Sequence, residues 1–370
     1  MKMDQGRRWA RAGLWCLLGG ALWLSGAHAA AVVGAPPAPA GQPKVVIDAA
    51  GATFPALVYQ RWAQRYEAER QVEFRYQPTG SGDGIRKISA GQVQIGGTDS
   101  PLSAAVLQER GLLQLPTLAG AVVPVFNLGV GAPRSLRLSA QLLGDLFAGH
   151  TQHWDDPRIA ALNPGVRLGH WPVQRVVRAD QSGTTEAFTG YLSMVNPVFA
   201  AEVGTHKLPL WPGKTLAAEG NGGVVKLLQS TQGALAYTGY DRAQQDGLSM
   251  VELQNASGLW VRASELSILQ ALQASDVHRK GLDTASTLNR PGGGSWPITV
   301  VTFLLIHAQP ETDQKEASRQ ALRFLYWAFQ RGDALLRGTG FVPLPTAMQA
   351  RLAKRLLSVT ASDGGSLVFQ

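Results

Sequence analysis

Apolar and polar positions along this chain follow two different periods, and the switches between them mark its elements. Val45-Val46-Ile47 is a short apolar run of strand type. After the small-residue turn Ala50–Thr53, Phe54, Val58, Trp62 and Tyr66 recur every four residues, lining one face of a helix from Pro55. Proline suits a first helical turn, where an N–H would have no partner. Val72, Phe74 and Tyr76 return to period two, and Thr79–Gly82 turns the chain into a helix expected from Asp83 toward Ala90. Val93–Ile95 reads as a third strand ending at Thr98-Asp99, and Val176-Val177 leads through Asp180–Thr184 into a helix beginning near Thr185. Further strands are expected at 121–127, 234–238 and 299–306, and helices at 139–148, 264–274, 313–330 and 345–357. Repeated strand–turn–helix units predict α/β layers with largely parallel sheets.

Composition sharpens this. With 370 residues, 45% hydrophobic and 16% charged, the chain can build two ordinary domains and is no disordered polymer. Lys2, Arg7, Arg8 and Arg11 precede the apolar stretch Ala12–Leu24, which is too short to span a bilayer comfortably, and Ala27-His28-Ala29 offers a cleavage site. Residues 1–29 are therefore read as a secretory signal peptide cleaved near Ala29, and the Ala/Pro-rich stretch 30–43 as a linker. The one cysteine, Cys16, leaves with the signal, so no disulfide, thiol chemistry or cysteine metal site is expected. The formal charge of +8 falls to +5 once residues 1–29, with four basic groups and one acid, are set aside. The basic residues are scattered, which argues against a nucleic-acid surface.

Three segments share one chemical character. Ala52-Thr53-Phe54-Pro55, Thr79-Gly80-Ser81-Gly82 and Ser182-Gly183-Thr184-Thr185 each set a hydroxyl residue among small neighbours before a helix. Simple N-capping explains any one of them. Together they also suit an anion cradle, because the first N–H groups of a helix lack intrahelical partners and carry partial positive charge. Arg178 and Asp180 flank the third segment: a structural ion pair, or a fork of donors for two oxygens of an oxyanion. Asp99 is either a turn cap or an acceptor facing that anion. Neither Ser81 nor Ser182 lies in a Gly-x-Ser-x-Gly turn, no phosphate loop of the Gly-x-x-x-x-Gly-Lys type occurs, and the seven histidines form no metal pattern.

Several motifs occur in order along nearly all of the chain after residue 43. They are Gly51-Ala52-Thr53-Phe54-Pro55-Ala56, Gly80-Ser81, Gly96-Gly97-Thr98-Asp99-Ser100-Pro101-Leu102-Ser103, Trp154-Asp155-Asp156-Pro157, Arg178-Ala179-Asp180-Gln181-Ser182-Gly183-Thr184, Trp296-Pro297-Ile298-Thr299 and Phe324-Leu325-Tyr326-Trp327-Ala328. In this combination the chain resembles the periplasmic phosphate-binding subunits of high-affinity phosphate ABC importers. The resemblance implies a type II two-lobed periplasmic binding protein, each lobe a central, mainly parallel sheet flanked by helices, joined by a hinge and closing on its ligand. By similarity, lobe 1 covers 44–118 plus 298–370 and lobe 2 covers 119–297. Thr53, Phe54, Ser81, Asp99, Arg178, Ser182, Gly183 and Thr184 become the phosphate contacts, Phe54 and Gly183 through backbone N–H, with Asp180 supporting Arg178. Phosphate at neutral pH keeps a hydroxyl that can donate to Asp99; sulfate has none and meets only like charge.

The implied partners are inorganic phosphate and membrane permease subunits, for a monomer in the periplasm with no cofactor, metal or nucleic acid and no chemical turnover. Alternatives left open are an extracellular phosphate scavenger or sensor of the same fold, and a serine hydrolase or phosphatase. Departures from the family pattern are Gly82-Asp83-Gly84 after Ser81, Gln181 where relatives often have a small residue, and Thr185 in place of a common serine.

Overall fold

The computed structural model describes residues 45–311, 314–365 and 367. The signal segment and the linker lie outside the described residues. Strands and helices alternate through β1 (Val46–Gly51), α1 (Ala56–Arg70), β2 (Glu73–Pro78), α2 (Ser81–Ser89), β3 (Ile95–Thr98) and α3 (Ala104–Glu109). A long β4 (Leu112–Asn127) leads to β5 (Ser135–Leu138), α4 (Ala140–Ala148), α5 (Pro157–Leu162), β6 (Gln174–Arg178), α6 (Gly183–Val195) and α7 (Pro197–Glu202). Then come β7 (Leu216–Ala218), α8 (Gly220–Ser230), β8 (Ala234–Gly239), α9 (Tyr240–Gln245), β9 (Ser249–Gln254) and β10 (Trp260–Val261). The chain ends in α10 (Glu265–Gln273), α11 (Asp276–Arg279), β11 (Thr299–His307), α12 (Lys315–Arg331), β12 (Val342–Pro343) and α13 (Thr346–Leu357).

The helical face predicted after Pro55 is the buried one. Phe54, Val58, Trp62 and Tyr66 all lie in the core, each such side chain stabilising the fold by about 1.5–3 kcal/mol through burial. Trp62 Nε1 donates to Gly332 O at 3.0 Å, and Tyr59 OH pairs with Thr117 Oγ1 at 2.8 Å, so the polar tips are satisfied.

Some boundaries differ from the expected ones. α2 begins at Ser81 rather than Asp83, and α6 at Gly183 rather than Thr185. First-turn residues are small and polar, so apolar periodicity does not register them. β3 starts at Ile95 rather than Val93. The largest difference is β4, expected over 121–127 but continuous from Leu112. Pro116 argues against a strand in the sequence; in the fold it sits opposite a register irregularity between Thr302 and Phe303 of β11.

The main strand order is β2-β1-β3-β11-β4-β8-β6-β7. β1 pairs with β2 and β3 in parallel, as does β6 with β7 and β8. The antiparallel strands β4 and β11 join these groups. β11 pairs the first part of β4, ending at Thr299↔Ala121, and β8 pairs the rest, beginning at Val122↔Gly239. Trp296 Nε1 donates to Val122 O at 2.9 Å, pinning the chain where β4 changes neighbours.

Candidate functional site

The residues singled out from sequence gather where strands end, the usual place for ligands on open α/β sheets. Thr53 and Phe54 follow β1, Ser81 opens α2 after β2, Asp99 follows β3, Arg178 ends β6, and Ser182, Gly183 and Thr184 start α6. Capping accounts for one of the three hydroxyl segments only. Ser182 Oγ accepts from Thr185 N–H at 3.1 Å. The N-caps of α1 and α2 are Pro55 and Gly80, neither with a side-chain cap. Thr53 instead reaches another segment, its Oγ1 accepting from Asn221 N–H at 3.3 Å. Phe54 is held by an edge-on contact with Phe341, ring centroids 5.0 Å apart.

Arg178 anchors the set and is 2% exposed. Its Nε donates to Asp180 Oδ1 at 2.7 Å, its Nη2 to Asp180 Oδ2, and its Nη1 to Asn221 Oδ1 at 2.9 Å. One N–H on each of Nη1 and Nη2 is left to face a ligand. Burial alone would raise the Asp180 carboxyl. The bonds and charge of Arg178, with the Gly220 N–H at 2.9 Å, outweigh it and hold Asp180 below its ordinary range. Asp180 therefore fixes the guanidinium plane and also cancels its charge. The site offers directed donors rather than net positive charge.

Ser81 Oγ accepts from both Asp99 N–H and Gly183 N–H, each at 3.2 Å, which ties the ends of β3, α2 and α6 to one atom. Its hydroxyl hydrogen is left to donate. Asp99 is 5% exposed, and its Oδ1 accepts from Thr302 Oγ1 at 2.8 Å. Burial pushes its carboxyl up to about 7, against the lowering effects of Thr302, the Arg178 charge and Ser81. A carboxyl titrating there can accept or donate near neutrality. Thr184 Oγ1 is buried with no partner among the described residues. An unpaired buried hydroxyl costs about 1–3 kcal/mol, which an oxyanion at this spot would offset.

The starts of α2 and α6 meet closely. Gly82 N–H donates to Gln181 O at 3.0 Å, and a Cβ on Gly82 would stand 2.6 Å from Gln181 Cβ. A Cβ on Gly183 would stand 2.7 Å from Asp99 Cβ and from Ser81 Oγ. Gly80, at φ +102°, lies against Asp180 in a conformation that side chains disfavour. Asp83, a departure from the family pattern, is taken up by Arg86, by Lys87 at 3.1 Å and by Thr79 Oγ1 at 2.5 Å, so its charge is compensated within its own turn. Thr185 Oγ1 pairs with Tyr237 OH at 2.8 Å, and that hydroxyl accepts from Arg178 N–H at 3.4 Å. Burial pushes the Tyr237 phenol up to about 12, so it stays neutral. Both serine hydroxyls are bonded to backbone amides. Among the described residues no group of three or more His, Cys, Asp or Glu side chains could hold a metal, and no helix is long and apolar enough to cross a membrane.

Sequence reasoning missed Asn221, Thr302 and Tyr237. Asn221 had a faint signal, the glycine-rich helix start Gly220-Asn221-Gly222-Gly223. Thr302 and Tyr237 stand inside apolar strands and had none.

The chain matches the PBP superfamily domain over residues 38–331. It is 36% identical over 300 residues to the phosphate-binding protein PstS of Haemophilus influenzae, covering 81% of this chain and 89% of that one. The chain belongs to the PstS family of phosphate-binding proteins. A PstS from Methanocaldococcus jannaschii is 32% identical over 322 residues, covering 81% and 83% of the two chains. A solved high-affinity periplasmic phosphate-binding protein with phosphate bound superposes with a TM-score of 0.65 at 24% identity, covering 88% of this chain and 96% of that one. The PstS-family chain thus has the type II two-lobed periplasmic binding-protein fold expected from its motifs. Its relatives are named as binding proteins rather than enzymes.

Proposed function

We propose that this protein captures inorganic phosphate in the periplasm between two closing lobes, without chemical turnover, and delivers it to the permease subunits of an ABC importer. Lobe 1 is residues 44–118 plus 298–370 and lobe 2 is 119–297, hinged where β4 changes partner between Ala121 and Val122. The protein acts as a monomer, and its signal is removed near Ala29.

The observation that carries the reading is Arg178, buried and compensated by Asp180 and Asn221, with donors to spare beside Ser81, Asp99 and the orphan Thr184 hydroxyl. Thr53, Ser81, Ser182 and Thr184 contribute hydroxyls, Phe54 and Gly183 contribute backbone N–H, and Arg178 spans two oxygens. Asp99 accepts a hydrogen bond from the phosphate hydroxyl, which sulfate cannot offer. Membership of the PstS family supports the ligand and the transport role. Because Asp180 cancels the Arg178 charge, the grip depends on short directed bonds and is screened little by salt.

Calorimetry on the mature protein with phosphate, arsenate and sulfate tests the reading. Tight binding of phosphate and arsenate without sulfate is expected. Equal binding of sulfate, or no phosphate binding, would sink it.

A further inference from the structure

A second carboxyl is buried behind Phe54. Asp241 lies in the first turn of α9, just after β8, and is 9% exposed, and its Oδ1 has no hydrogen-bond partner among the described residues. A Cβ on Gly239 would collide with that oxygen and lie 3.0 Å from Phe54 Cδ2, so the carboxyl and the Phe54 ring meet over bare backbone. On the other side, a Cβ on Gly340 would lie 3.2 Å from Asp241 N and Cα, closing the pocket with the segment that carries Phe341.

Arg242, through its backbone N–H and its charge, favours ionised Asp241, but burial outweighs both. On its own helix, Arg242 is paired with Asp246, and Tyr240 is raised by burial and by Glu265. From α10, Glu265 Oε1 accepts from Gly340 N–H at 3.1 Å. From the end of β3, the Asp99 charge opposes ionisation of Asp241. Apart from Arg242, these neighbours are acids.

We propose that Asp241 is a further proton-carrying group of the phosphate site, one that must hold its proton while the anion is bound. The inference rests on the phosphate reading above. The physical reason is additive. An ionised Asp241 would be a buried charge with an unpaired oxygen, and it would sit behind Phe54, whose N–H the phosphate reading assigns to the anion, where a further negative charge is disfavoured. Burial already pushes the carboxyl up to about 7, and the Asp99 charge adds to that rise. A bound anion raises it further, so phosphate binding above pH 7 draws one proton from solvent onto Asp241. By linkage the affinity is full below the free-protein value and declines as pH rises through and above it.

The test is calorimetry with inorganic phosphate from pH 6 to 8.5, in buffers of different ionisation heat, on the wild type and on Asp241→Asn and Asp241→Ala. Phosphate titrates alike in all three proteins, and repeating the comparison on an Asp99→Asn background removes the charge coupling between the two carboxyls, so the difference isolates Asp241. The wild type should lose affinity above pH 7 more steeply than either variant, by up to about tenfold per pH unit, and should take up more protons on binding at pH 8. A wild type that binds phosphate but matches a folded variant in both slope and proton count overturns this inference alone. A wild type silent toward phosphate at every pH overturns it together with the phosphate reading.

Discussion

Gly82→Ala tests whether the close meeting of α2 and α6 belongs to the bound state. The new Cβ would stand 2.6 Å from Gln181 Cβ. Because a Cβ is fixed to its backbone, no rotamer change relieves the overlap, and the two turns must separate. Separation also strains the 3.0 Å bond from Gly82 N–H to Gln181 O. Overpacking of this kind costs about 1–3 kcal/mol, which corresponds to phosphate binding weakened by about 5- to 150-fold. If the lobes open without ligand, the overlap disappears there, and alanine in the first turns of α2 improves helix propensity by up to about 1 kcal/mol. Calorimetry should therefore show weakened phosphate binding while the ligand-free melting temperature holds or rises. The double variant Gly82→Ala/Gln181→Gly removes the opposing Cβ and should recover most of the loss. Phosphate affinity within about twofold of wild type, or losses in the double variant that simply add, would refute the reasoning.

Three further outcomes are expected. Asp99→Asn should relax discrimination against sulfate by about 1–3 kcal/mol, more than it weakens phosphate; parallel changes in competition titrations would remove the assigned role of Asp99. In the wild type that discrimination should sharpen as pH rises through about 7, where Asp99 loses its proton. Thr184→Val deletes the orphan hydroxyl in a nearly equal volume and should weaken phosphate by about 0.5–1.5 kcal/mol while leaving the ligand-free melting temperature unchanged or higher. A fall in that temperature would mean that the hydroxyl already has a partner.

How much of the site was legible depended on where each residue lies. Arg178, Asp180, Ser182, Gly183 and Thr184 fall within one strand-to-helix turn, so their association is local and reads directly. Ser81 and Asp99 could be seen as similar turn residues, but only the fold brings Asp99 N–H and Gly183 N–H to the same Ser81 oxygen. Thr302 was hidden because a threonine in an apolar strand resembles any β-branched residue until its neighbour is known. Asp241 was hidden for a similar reason: an acid in the first turn of a helix is ordinary on a surface, and only tertiary packing against Gly239 and Gly340 makes it unusual. The first half of β4 was lost to Pro116, whose tolerance depends on an irregularity in a strand nearly two hundred residues away.

That distant strand has a consequence for how the molecule comes together. β3 does not touch β4 in the sheet; β11 stands between them and supplies the edge each needs. Val46–Thr98 forms a small parallel ribbon whose place in the sheet is joined to the rest through Thr299–His307. β11 is a keystone delivered late. Contacts between residues far apart in sequence form slowly, so the joining of β3 to β4 through β11 should follow the formation of the local strand–helix units.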